Sequence, residues 1–490
     1  CAFVQGVVDP QMCGLGGCGV MLFRSGSTDS TTVLEFYARA GSRVRPDQWE
    51  ALYEGETADH FGYLVEGRLN DAGYGSVGVP GTVAGLAEAH ARFGSLTWSR
   101  LLEPAIGVAR EGFAVSGNLY NAWVAADSPG LVPMRERLVK TDESARIYTR
   151  AGELYQPGEL LRCPDYASTL ERLAREGAQD FYRGSIARRI AEDFDANGGT
   201  ITLEDLAGYR VRAASPVRGS YRGLDLESAG PPAGGTTLLQ MLNYLEGFDL
   251  GSLGWPSVEA ARLRAEAMRW AFGDRDHLLA DPEWTEVPVE RMTDKEYAAA
   301  ARGAHDAGTT HVCVVDGLGN AVSMTHTLGS SSGVVTPGLG FTYNNYLNCF
   351  DPRPGRIQSL APGKTRVTMM TPTFGFRSGE LALAAGAPGA TRIVGGVLQT
   401  ILNLVDHGMT PVEAVSAPRI DYNSDVLQAE HRLPAAVLSG LAGLGYRVER
   451  RPLSYDPYFS RVQVITRSAS GEVEGASDPR KDGGVALSLD

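Results

Sequence analysis

The chain has 490 residues, and its 45 basic against 58 acidic side chains give a formal net charge of -13, which argues against nucleic acid or an anionic membrane surface as a partner. No run of about eighteen apolar residues is present, so no segment reads as a membrane span. The six cysteines, Cys1, Cys13, Cys18, Cys163, Cys313 and Cys349, carry no paired CxxC spacing and read as buried thiols, not as a zinc ribbon or a disulfide framework.

In chain order, Val7 to Phe23 is interrupted by Gly14, Gly16 and Gly17, a loop suited to close approach of a ligand or another backbone. Ala84 to Arg92, Trp98 to Gly112 and Tyr166 to Glu176 show helical spacing of apolar residues. Ile186 to Asn197 reads as a helix stopped by Gly198-Gly199, and a short helix, Leu203 to Leu206, follows the Thr200/Thr202 start. Ser257 to Phe272 is a further helix with an alanine-rich face. A hairpin comes next: Val312, Val314 and Val315 mark one strand, Asp316 to Asn320 a turn, and Ala321 to Leu328 the returning strand. Strands are expected to dominate from there to Ile393–Asp406, a buried helix, and Pro434 to Leu444 reads as an exposed helix with proline in its first turn. Strand pairs flanked by helices imply an α+β fold, a four-layer αββα sandwich. A length prior suggests roughly three domains, yet no linker divides the chain, so one intertwined domain is expected.

The hairpin carries the chemistry. Gly308-Thr309-Thr310-His311 precedes its first strand. A threonine hydroxyl within a chain is a poor nucleophile; at a new N-terminus its α-amine titrates near neutrality and can accept the hydroxyl proton. Cleavage before Thr309 would therefore give one residue both nucleophile and base, and Thr327 on the returning strand would stand close enough to hydrogen-bond it.

Ordered blocks along nearly the whole chain strengthen this reading. They include GVVDPQMCGLGGCGVML (Gly6 to Leu22), VGVPGTVAGL (Val77 to Leu86), PPAGGTTLLQML (Pro231 to Leu242), TTHVCVVDGLGNAVSMT, GAPGATRI (Gly386 to Ile393), APRI (Ala417 to Ile420) and GASDPRKDGG (Gly475 to Gly484). On these blocks the chain resembles the gamma-glutamyltransferase family, whose members cleave themselves before a threonine into a large and a small subunit and hydrolyse or transfer γ-glutamyl groups. The resemblance implies the N-terminal nucleophile hydrolase architecture, a large-subunit region 1–308, a small-subunit region 309–490, autoprocessing between Gly308 and Thr309, and no metal or cofactor. It also implies a small-molecule amide or γ-glutamyl substrate, with water or an amine as acceptor. Thr309 matches the family nucleophile, Thr327 its hydrogen-bonding threonine, and Gly389-Ala390 the pair whose backbone N–H groups serve the oxyanion. The exchange of the second glycine for alanine is harmless to that role where its φ is negative; one lost donor would cost about 3–4 kcal/mol.

The acyl pocket departs from the family pattern. The block that holds the glutamyl α-amine reads Asn344-Asn345-Tyr346-Leu347-Asn348-Cys349-Phe350, without its carboxylate, and Gly329 stands where relatives carry an asparagine. The two serines that bind the α-carboxylate fall on Thr368 and Met369, and the clamping arginine has only Arg43 and Arg45 nearby. A buried ammonium without a partner costs about 3–5 kcal/mol, at least roughly a hundredfold in affinity. Unless Asp351 takes over, the favoured acyl group is therefore expected to lack a free α-amine, in a pocket that Tyr346 and Met369 make more apolar.

Other residues are assigned structural roles. His311 is expected under the site, and His326 on the opposite face of its strand. Asp274-Arg275-Asp276-His277 reads as a solvated helix end, and the early glycine loop lacks both P-loop and Rossmann spacing. Cys1-Ala2-Phe3-Val4 reads as the middle of a helix, so residues upstream are expected and the compartment stays open. Two alternatives remain: a genuine glutathione hydrolase with rearranged substrate contacts, and a catalytically silent scaffold.

Overall fold

The computed structural model describes residues 1–57, 62–125, 130–300 and 310–488. Eleven of its strands form two facing antiparallel sheets. They are β1 (Cys18–Ser25), β2 (Ser30–Phe36), β3 (Arg212–Ala214), β4 (Val217–Tyr221), β5 (Leu224–Ser228), β6 (Thr310–Val315), β7 (Ala321–Thr327), β8 (Thr373–Arg377), β9 (Glu380–Gly386), β10 (Gln463–Arg467) and β11 (Val473–Ser477). The first sheet runs β6-β7-β1-β2-β3 and the second β4-β5-β8-β9-β10-β11. Each thus draws strands from both sides of position 309.

Alternation along each strand explains the layering. Val20 and Leu22 of β1 point inward and pack with Phe374, Phe376, Leu381 and Ala384 of the second sheet, while Met21 points outward with Leu34 and Met324. That outer face is covered by helix α1 (Thr82–Phe93), through Leu86, Ala89 and Phe93. The second sheet turns Leu224, Leu226, Leu383 and Val464 toward α2 (Gly235–Glu246), α3 (Val258–Leu278) and α4 (Arg392–Val405). Each fully buried Leu, Val or Phe stabilises the sandwich by roughly 1.5–3 kcal/mol. The result is the αββα arrangement expected from the sequence.

The differences have physical causes. Residues 329–372 form loops, short bridges and one 3-10 turn in place of strands, because Gly329, Gly333, Gly338 and Gly340 all adopt positive φ and break any ladder. Helix α3 continues through Asp274-Arg275-Asp276-His277, where Arg275 is buried and not solvated. The helix Ala435–Gly443 buries Val437 and Leu441 against α3, so it is only partly exposed. Helix α2 and the β4–β5 hairpin had no counterpart in the sequence reading.

Candidate active site

The β6–β7 ladder ends at Thr310 opposite His326, with Thr327 one position further along β7 and opposite Cys18 of β1. Thr327 is buried, and its Oγ1 accepts a hydrogen bond from the Gly329 N–H at 2.8 Å. Gly308 and Thr309, the expected cleavage pair, lie outside the described residues.

His311 locks the two sheets together beside this ladder end. Its Nδ1 lies 2.8 Å from Thr325 Oγ1, and its Nε2 lies 3.1 Å from Cys313 Sγ and 3.3 Å from Ser323 Oγ. Its ring fills the space beside Gly386, where an added Cβ would come within 2.2 Å of Cε1. Burial, with a smaller contribution from His326, pushes its pKa down to about 3, so the ring is neutral and serves as a spacer. His326 faces the other way, toward Gln5 Oε1 at 3.0 Å. The start of β6 and the end of β9 therefore meet at one place. The early glycine loop closes it from below: a Cβ on Gly17 would meet the Thr327 carbonyl oxygen at 2.5 Å and one on Gly16 the Thr342 carbonyl oxygen at 2.3 Å.

The chain leaves β9 through Ala387-Pro388 into Gly389-Ala390 and then enters α4. Ala390 takes φ +64°, the left-handed region, and Gly389 takes φ +141°. The condition attached to the glycine-to-alanine exchange, a negative φ, is therefore not met; the alanine is held in a conformation that costs about 1–2 kcal/mol. Among the described residues neither N–H of this pair has an acceptor, and both lie at the positive end of the α4 dipole. The loop is braced by Ser460, whose Cα would lie 2.4 Å from a Cβ on Gly389, and by Arg461, whose N–H donates to the Pro388 carbonyl at 2.9 Å.

Behind Ser460 stands a buried ring of charges. Arg419 donates to the Ser460 carbonyl and pairs with Asp478 at 2.7 Å. Arg480 joins Asp478 at 2.9 Å to Glu430 at 2.7 Å. Burial pushes the Arg419 guanidinium down to about 10, opposed chiefly by Asp478, which still leaves it charged at neutral pH. The DPR segment of the GASDPRKDGG block supplies two members of this ring.

On the other side of Thr327, Gly329 takes φ +72°, and a Cβ there would lie 2.3 Å from Asn345 Oδ1 and 3.9 Å from Arg366 Nη2. Asn345 Nδ2 donates to the Asp71 carbonyl and carboxylate, both at 3.0 Å. Asp71 also takes Arg137 Nη2 at 2.5 Å and the Val132 N–H at 2.9 Å. Asn344 braces the Gly16 and Gly78 carbonyls, each at 2.8 Å. Tyr346 is buried in the inter-sheet core with Arg366 stacked over its ring at 4.3 Å. Cys349 is buried, its Sγ 3.1 Å from Asn348 Oδ1. Thr368 is buried, its Oγ1 3.5 Å from the Met370 N–H.

Three expectations need correction. Arg43 and Arg45 do not come to this place: Arg43 pairs with Asp195 at 2.6 Å on the exposed side of helix Ser185–Ala196, and Arg45 lies exposed beside Asp47. Met369 points out of the inter-sheet space into the core under α3, where Arg275 Nη1 reaches its sulfur at 3.7 Å, because residues 368–370 alternate and Met370 takes the inward position. An apolar wall of Tyr346 and Met369 is thus replaced by a tyrosine capped with a guanidinium. Asp351, the carboxylate that could have received an ammonium, takes both Nε and Nη2 of Arg353, at 2.7 and 2.8 Å, with Arg356 at 3.7 Å. Sequence reasoning also missed Asp71, Arg137 and Arg366. Among the described residues no group of three or more His, Cys, Asp or Glu side chains could hold a metal ion, and no helix is long and apolar enough to cross a membrane.

Two antiparallel sheets held face to face between helices, with the β6–β7 hairpin at one edge, define an N-terminal nucleophile hydrolase fold. A family model described as Gamma-glutamyltranspeptidase matches residues 1–488. An acylase ACY 1 proenzyme of Pseudomonas sp. (strain V22) is 38% identical over 507 residues, covering 98% of this chain and 87% of that protein. A glutathione hydrolase proenzyme of Escherichia coli (strain K12) is 32% identical over 513 residues, covering 98% and 85%. The crystal structure of cephalosporin acylase from Bacillus halodurans superposes with a TM-score of 0.89 at 28% identity, covering 99% of this chain and 89% of that one. The chain belongs to the gamma-glutamyltranspeptidase family and is a self-processing enzyme of the hydrolase and transferase kind.

Proposed function

We propose that the chain cuts itself between Gly308 and Thr309, leaving pieces 1–308 and 309–490 as one intertwined body. The mature enzyme then moves acyl groups from small amides to water or an amine through Thr309. In this reading the Thr309 α-amine accepts the hydroxyl proton and the oxygen attacks the amide carbonyl. Thr327 orients that hydroxyl, and the N–H groups of Gly389 and Ala390 receive the oxyanion. The observation that supports it is that His311, at the start of β6, packs on Gly386, at the end of β9, from which the acceptor-free Gly389–Ala390 loop departs, while Thr327 ends the strand paired with β6.

The acyl group is one without a free α-amine. Asp71 and Asp351 are both engaged by arginines, and recruiting either for an ammonium would break a buried pair at about 3–5 kcal/mol. The 38% likeness to an acylase, against 32% to a glutathione hydrolase, points the same way. Mass spectrometry of purified protein is expected to find two fragments meeting between residues 308 and 309, and Thr309→Ala is expected to stay intact and lose turnover by at least about a thousandfold. An uncut, fully active wild type would refute the nucleophile. A strong preference for γ-glutamyl anilide would favour the glutathione-hydrolase reading, and cutting without turnover the silent scaffold.

A further inference from the structure

We infer that Ser460 is a positioning residue: its α- and β-carbons form a wedge that sets the Gly389–Ala390 loop and, through that loop, the rate of the reaction. This deepens the proposed function and rests on its assignment of the oxyanion to those two N–H groups.

Contacts on three consecutive residues hold the wedge. The Ser460 carbonyl accepts from Arg419, the Arg461 N–H donates to the Pro388 carbonyl at 2.9 Å, and the Val462 N–H donates to the Asp478 carboxylate at 3.0 Å. The segment entering β10 is thus tied on one side to the chain leaving β9 and on the other to the buried charge ring. Ser460 is 1% exposed and fills the crook between the loop and α4. A Cβ on Gly389 would lie 2.4 Å from the Ser460 Cα and 2.6 Å from its Cβ. A Cβ on Gly396, one turn into α4, would lie 1.7 Å from the Ser460 Oγ and 2.9 Å from its Cβ. Both glycines are therefore required for the serine to seat against loop and helix together.

The conformation of the loop makes this wedge consequential. Gly389 at φ +141° and Ala390 at φ +64° adopt backbone angles that persist only where the surroundings impose them. The helix alone imposes little: the Arg392 N–H reaches the Gly389 carbonyl at 3.2 Å and the Ile393 N–H the Ala390 carbonyl at 3.4 Å. Steric contact with Ser460 supplies the rest. Backbone donors serve an oxyanion only from about 2.7–3.1 Å, and a displacement of about 1 Å costs roughly a hundredfold in rate. The hydroxyl takes no part in the holding, since among the described residues the buried Ser460 Oγ has no hydrogen-bond partner.

The test separates the carbon wedge from the hydroxyl, using γ-glutamyl and butyryl p-nitroanilides and whichever the processed wild type turns over faster. Ser460→Gly should lower kcat and kcat/KM equally, by at least about tenfold, because oxyanion donors act only as the charge forms. Ser460→Ala, which keeps the wedge and discards a hydroxyl without a partner, should stay within about twofold. Equal losses in the two variants, a Ser460→Gly loss confined to KM, or no loss at all would overturn the inference. If Ser460→Gly does not fold, Ser460→Cys replaces it: the longer Cβ–Sγ bond crowds Gly396, and kcat should fall at least about threefold at unchanged KM. Wild-type kcat in Ser460→Cys would then refute the wedge. Should the wild type turn over neither anilide, the proposed function fails on its own, and hydrogen exchange followed by mass spectrometry over residues 388–394 reads the loop directly. Exchange at least about tenfold faster in Ser460→Gly and within about twofold of wild type in Ser460→Ala supports the wedge; equal rates in all three proteins refute it.

Discussion

Two buried ionic groups flank the candidate site, and they spend their hydrogen bonds differently. Behind the Gly389–Ala390 loop, Arg419, Asp478, Arg480 and Glu430 pair in series, the Arg419 main-chain N–H closes the ring on Glu430 at 3.2 Å, and further arginine N–H groups donate to the main-chain carbonyls of Val415, Ala417 and Ser460. Beside Gly329, Asp71 and Arg137 also brace backbone, at Ser331, but here side chains meet at the site itself: Asn345, Tyr346 and the Arg366 fork. A closed ring holds a loop still, whereas a side set with exchangeable side-chain contacts can change its substrate without losing the fold. Under the proposed function, the oxyanion side would thus be the rigid half of the machine and the acyl side the adaptable one.

The comparison breaks most visibly at Asp478. Asp478→Ala leaves Arg419 and Arg480 without a shared carboxylate and should cost about 3–5 kcal/mol in chemical denaturation. A loss below about 1 kcal/mol would show that the ring is not what holds the oxyanion side.

Acidification sharpens it next. The His311 folded-state pKa of about 3 lies below the ordinary value near 6.5, so between those values the unfolded chain binds the proton that the folded one refuses. Stability should therefore be complete above about pH 6.5 and fall by about 1.4 kcal/mol per unit as pH drops toward 3. His326, pushed down by burial to about 4, adds its own slope down to that value. Neighbouring Cys313, its thiol pushed up to about 12 by burial, stays neutral throughout. Denaturation midpoints of wild type and His311→Gln across this window should show the shallower slope in the variant; parallel slopes would remove His311 from the account.

The smallest effect concerns Ala390. Ala390→Gly relieves the left-handed strain but frees the unfolded chain, so stability should shift by less than about 1 kcal/mol with kcat/KM within about twofold. A large drop in turnover would mean that the methyl group, and not only the backbone N–H, takes part.

The rigid half was the more legible in sequence. The valine alternation and the Asp316–Asn320 turn announced the β6–β7 hairpin, and GAPGATRI marked the loop before α4 by its small residues. Helix α2 escaped because it opens on Gly235-Thr236-Thr237, poor helix formers rescued by complete burial of Leu238, Leu239, Met241 and Leu242. The β4–β5 hairpin escaped because Arg218, Asp225 and Glu227 dilute its apolar alternation, and its turn, Arg222 at φ +46° and Gly223 at φ +74°, carries only one conspicuous glycine. The adaptable half was almost unreadable. Nothing near residue 71 announces a partner at 137, and a single arginine in KTRVTMM carries no sign that it is buried and stacked on a tyrosine.

Because each sheet takes strands from before and after position 309, breaking that one peptide bond would not release either piece: separating them means tearing open both sheets and the shared interior between them. The nick would therefore be silent to any measurement of native size or shape. Fragments expressed apart would each carry raw sheet edges and bare apolar faces, and are expected to recover activity only when they fold in each other's presence.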